Sequence, residues 1–112
     1  MPLGEKRLRE CWERLRLLIA DLRTFIETDD YEFVRRAAEQ AKELENDELL
    51  SELSGLTDLV NNVKTMNQKI SQSNGKLDDV DHALLVQQAV YSISRANILS
   101  VGIEFRFKRA KG

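Results

Sequence analysis

The sequence predicts an all-α fold: an up-and-down bundle of about four helices followed by a short extended C-terminal segment with the pattern of a β-strand. Three observations carry that prediction. Proline occurs once, at position 2, so the residue that most strongly breaks helices is missing from the rest of the chain. Apolar side chains recur at alternating intervals of four and three over long stretches, the spacing of a helix face turned toward another helix. Short polar residues and glycine then punctuate those stretches around 28–30, 46–47 and 73–75, where helix caps and turns are expected.

The first helix is expected from about Gly4 to Glu27. Leu8, Trp12, Leu15, Ile19, Leu22 and Ile26 form its seam, and Cys11, Leu18 and Phe25 widen it, which suits a helix with two neighbours. Arg9, Arg16 and Arg23 flank the seam at intervals of seven, in reach of acidic residues on an adjoining helix. Asp29 and Glu32 fit a capping box that starts a second helix, with Val34, Ala37, Ala41 and Leu44 inward and a pause near Asn46-Asp47. A third seam runs through Leu49, Leu53, Leu56, Val60, Val63, Asn67 and Ile70 and ends at Ser73-Asn74-Gly75, where Asn and Gly supply a left-handed stop. Asp78 and Asp81 repeat the capping pattern before a fourth helix reaching about Leu99, whose inner face is read as Val80, Ala83, Leu84, Val90, Tyr91 and Ile93.

The end of the chain reads differently. Ile103, Phe105 and Phe107 alternate with Glu104, Arg106 and Lys108 just after Gly102, the period of two of a half-buried strand. Residues 1–102 are therefore assigned to the bundle and residues 103–112 to an extended basic and aromatic tail. A lone strand needs an edge to pair with, which makes this tail the expected partner-binding segment.

Composition bounds the function. The chain has 112 residues, of which 42% are hydrophobic and 32% charged, values of an ordinary globular domain. Its aliphatic runs, such as Leu17 to Ala20, are far short of the roughly 20 residues that a bilayer requires. Residues 1–9 carry Glu5, Lys6, Arg7 and Arg9 with no signal-type apolar stretch behind them, and Cys11 is the only cysteine, so a cytoplasmic protein is expected. The net charge is -2, yet residues 27–58 hold three basic and eleven acidic side chains while residues 95–112 hold five basic and one acidic. Such asymmetry steers partners or orders copies head to tail.

Reactive groups are sparse. His82 lies four residues from Asp78 and could share a helix face with it as a metal ligand, but carboxylates gather at helix starts for electrostatic reasons alone. Cys11 sits on an apolar flank and reads as a small buried hydrophobe rather than a nucleophile. No catalytic residue, cofactor or metal is expected. The expected function is that of a non-enzymatic helical interaction module, an adaptor, assembly subunit or regulatory protein. It would self-associate, with a dimer as the first guess. Ile103, Phe105, Arg106, Phe107 and Lys108 would bind the partner, and Trp12 and Asn67 would act in oligomerisation, Asn67 because an amide in an apolar seam fixes register. The alternative is a small nucleic-acid-associated subunit using the basic tail with Arg9, Arg16 and Arg23.

Overall fold

A computed structural model describes residues 4–111; what the sequence suggests for residues 1–3 and 112 lies outside the described residues. The described chain is helical throughout: α1 (Glu5–Thr28), α2 (Glu32–Leu44), α3 (Asp47–Glu52), α4 (Leu56–Gln72) and α5 (Asp79–Lys111). α1 packs against α2 and α5, and α4 packs against the same two, so α1 and α4 stand across the diagonal of a four-membered bundle. Neighbours run antiparallel, as Arg14 of α1 meeting Gln40 of α2 and Arg16 of α1 meeting Asn97 of α5 show. α3 is a single short element bridging α2 to α4. The molecule is about as long as α5, because 33 helical residues span about 50 Å and its longest extent is 50 Å.

The core follows from the seams. Leu8, Cys11, Leu15, Leu18, Ile19, Leu22 and Phe25 of α1 are buried, a stripe wide enough to face α2 on one side and α5 on the other. Val34, Ala37, Ala41 and Leu44 of α2 are buried as expected, the alanines permitting close approach. α4 contributes Leu56, Leu59, Val60, Val63 and Met66. Among the described residues, no buried side-chain nitrogen or oxygen lacks a hydrogen-bond partner.

The turns differ in detail from expectation. Asp29 is the left-handed C-cap of α1, with φ 57° and its N–H donated to the Phe25 carbonyl, while the carboxylate of Asp30 caps α2 by accepting from the Glu32 N–H. Asn46 caps α3, so the pause near 46–47 is real. The third seam is not one helix. Leu53 is extended and Gly55 adopts φ 91°, a conformation that any Cβ strains, so the chain turns between α3 and α4 although the apolar spacing runs straight across. Asn74 and Gly75, at φ 55° and 74°, end α4 as expected. Asp78 caps α5, its carboxylate accepting from the Asp81 N–H at 2.7 Å.

The extended tail does not exist as such. Residues 103–111 continue α5 without a break, and no strand occurs among the described residues. Ile103 is fully buried and Phe107 packs on the core, four residues apart and therefore on one helix face. That packing outweighs the roughly 1 kcal/mol penalty of a glycine inside a helix, so Gly102 is simply absorbed. The face predicted to point inward is also out of phase. Leu85, Ala89, Ser92, Ala96, Leu99, Ser100 and Ile103 are buried on α5, whereas Val80, Leu84, Val90 and Tyr91 are exposed.

Candidate functional site

α5 carries two apolar seams. The inner one alternates four and three through Leu85, Ala89, Ser92, Ala96, Leu99 and Ile103, and it fills the slot between α1 and α4. The outer one runs on the opposite side of the same helix. Leu84, Tyr91, Ile98 and Phe105 recur every seven residues, and Val80 and Val101 fill the intervening line. These six side chains keep between 38% and 69% of their surface in solvent. Helices at the edge of a bundle ordinarily place polar residues there. From Val80 to Phe105 the strip is about 37 Å long, and a repeat of seven drifts by about 20° per heptad, the drift a second helix follows by coiling around it.

The ends of the strip carry opposite charge. Asp78, Asp79 and Asp81 crowd the first turn, and Arg106, Lys108 and Arg109 the last. Lys108 lays its ammonium over the Phe105 ring, 5.6 Å from the centroid. Near the middle, Arg95 donates to the Tyr91 hydroxyl at 3.0 Å and stacks on the same ring, which holds the cation along the helix surface.

Of the residues predicted to bind a partner, Phe105 and Lys108 are exposed on or beside this strip. The others are placed elsewhere. Ile103 lies in the core, Phe107 is half-buried beneath Arg9, whose guanidinium sits 5.6 Å from the ring centroid, and Arg106 donates to the Glu52 carbonyl at 3.2 Å. Trp12 is half-buried and its indole N–H donates to Glu104 at 3.2 Å, so it joins α1 to α5. Asn67 lies half-buried at the α2–α4 edge, beside Ala38, Lys42 and Lys64. An amide that does reach across the α4–α5 interface is Asn62, which donates to the Gln88 carbonyl and to the hydroxyl of the buried Ser92, at 3.2 and 2.6 Å. Nothing in the spacing of α4 singled it out, because it lies beside the seam.

The two reactive candidates are both accounted for by packing. His82 is gripped on both ring nitrogens, Nδ1 by the Tyr31 hydroxyl and Nε2 by the Asp29 carboxylate, each at 2.8 Å. With Phe25 edge-on at 5.8 Å, this chain of groups ties the α1–α2 corner to the start of α5. Burial pushes the Tyr31 hydroxyl above its ordinary pKa and the nearby Asp29 charge adds to the shift, which keeps the phenol protonated in its hydrogen bond. Cys11 is buried, and burial raises its thiol from 9.0 to about 11. No group of three or more His, Cys, Asp or Glu among the described residues is placed to hold a metal ion. Among the same residues, no helix is long and apolar enough to cross a membrane.

A cavity of about 530 Å³ opens between α1, the end of α2 and α3. Its walls mix both signs of charge, with Arg7, Arg14, Glu10, Glu13 and Glu43, and Leu17 stands at its edge. No family model, curated protein or solved structure matches the chain.

Proposed function

We propose that this chain is a non-enzymatic helical interaction module, an adaptor, assembly subunit or regulatory protein, and that it docks through the outer face of α5. One observation carries the reading: a heptad-spaced apolar strip that solvates Leu84, Tyr91, Ile98 and Phe105 on a helix whose other side already fills the core. Solvating such a strip costs free energy that a partner recovers by covering it. The single buried thiol suits a reducing compartment such as the cytoplasm. The test is site-specific photo-crosslinking in native host cells, with the probe at position 91 or 98 and controls at Glu13 and Lys42, exposed on other faces. Adducts are expected from the α5 positions alone. Absence of adducts there, or equal yields from all four positions, removes the reading.

A second reading, contact with nucleic acid, is favoured by one placement. The antiparallel pairing of α1 and α5 sets Arg9 against Phe107, close to Arg106, Lys108 and Arg109, so residues far apart in sequence share one basic end. It ranks lower because Arg106 already faces Glu52 and Arg9 already pairs with Glu5. Binding to nucleic acid would weaken steeply with salt, whereas an apolar helix contact would barely respond.

A further inference from the structure

The outer strip of α5 has a definite shape, and its charges select what covers it. We propose that its occupant is the outer strip of a second copy of this chain, laid antiparallel across a two-fold axis near Tyr91 and Ser94. This rests on the docking reading above and specifies its partner.

The spacing is self-complementary in reverse. With the axis between positions 91 and 94, Val80 lies opposite Phe105 of the second copy, Leu84 opposite Val101, and Gln87 opposite Ile98. Every large apolar residue of one line then meets the other line, which is how two seams interlock in a coiled coil. Area supports closure. At the observed exposures the six apolar side chains offer roughly 600 Å² per copy, so a two-fold pair covers roughly 1,200 Å², the lower bound for a specific stable interface.

Electrostatics fixes the direction. A parallel pair would place Asp78, Asp79 and Asp81 of one copy beside the same three carboxylates of the other, and Lys108 and Arg109 beside their equivalents. Antiparallel pairing brings each acidic end to the basic end of the second copy and opposes the two helix dipoles. Asp81, already paired with Lys69 at 3.4 Å, and Arg109 flank the strip on the same side. Arg95, the cation closest to the axis on that flank, is folded back on Tyr91 rather than projecting across. At the axis itself stand Ser94 and Tyr91, and Gly102 on the flank adds no bulk. The pairing is isologous, so it closes at two copies and does not propagate into a filament.

The experiment combines mass and crosslinking on the full chain. Light scattering from micromolar to millimolar concentration is expected to give the mass of two chains. Ile98→Glu and, independently, Leu84→Glu should raise the dissociation constant on the order of a hundredfold with the helical circular dichroism unchanged. Single cysteines then read direction. Val80→Cys and Phe105→Cys proteins should form disulfides when mixed and not when each is oxidised alone, because equivalent residues lie about 37 Å apart along an antiparallel pair. Crosslinking of either variant with itself overturns the antiparallel order. A wild type of one-chain mass at every concentration overturns self-pairing, while photo-crosslinking at positions 91 and 98 judges the docking face separately. A dimer that neither glutamate weakens overturns both.

Discussion

Ile103→Ala and Phe105→Ala, two residues apart in the segment that alternates like a strand, should differ several-fold in their cost to stability. Ile103 is fully buried in the core, and Phe105 keeps 53% of its surface in solvent. Truncating Ile103 to alanine removes three carbons, about 2.4 kcal/mol at about 0.8 kcal/mol each, and the cavity left behind brings the expected loss to about 3 kcal/mol. Truncating Phe105 removes a ring that loses little water-exposed area in the single chain, so its cost should stay below about 1 kcal/mol. Urea unfolding followed by far-ultraviolet circular dichroism, at one low micromolar concentration so that association does not contribute, measures both. With a slope of about 1.5 kcal/mol/M, the Ile103 variant should lose about 2 M in midpoint and the Phe105 variant well under 1 M. Equal losses, or a greater loss at Phe105, would refute the continuous helix and restore an extended tail.

Two further outcomes follow from ionisable groups whose pKa burial raises. Cys11, with its thiol raised to about 11 by burial, should resist iodoacetamide at neutral pH and react at least a hundredfold faster in denaturing urea; rapid labelling of the folded chain would show that α1 opens locally. Asp21 has its pKa raised, chiefly by burial, with Glu39 adding and Arg36 opposing. The folded state therefore holds this proton more tightly than the unfolded chain, and the site's contribution to stability falls as pH rises through the ordinary carboxylate range. Asp21→Asn should raise the urea midpoint at neutral pH, and the gain should shrink on acidification. A gain that is absent at neutral pH, or larger in acid, contradicts that assignment.

Much of the bundle was legible because its signals are local. The seam of α1, the alanine-lined face of α2, the Asn74-Gly75 stop and the Asp78 cap each depend on residues within a few positions of one another. The break at Gly55 was hidden because Leu49, Leu53, Leu56 and Val60 keep the helical interval across it, although a glycine in that run was the available hint. The tail was misread for a more instructive reason. Ile103 and Phe107 belong to the inner seam of α5 and Phe105 to the outer one, and two seams on opposite sides of one helix mimic an alternation of period two. The same doubling reversed the inner and outer faces of α5 at Val80, Leu84 and Tyr91, since both sides satisfy helical spacing. Which side is covered depends on what α1 and α4 present, and that is not encoded within α5.

The reach of α5 back to the beginning of α1 also bears on how the chain matures. Leu8, Trp12 and Leu15 precede the residues that seal them, Leu99 to Phe107, by roughly ninety positions, which is several seconds at ordinary elongation rates. Until then the α1–α2 hairpin travels with half its grease unsheathed. A nascent chain stalled before Ile103 would thus present that uncovered face to chaperones.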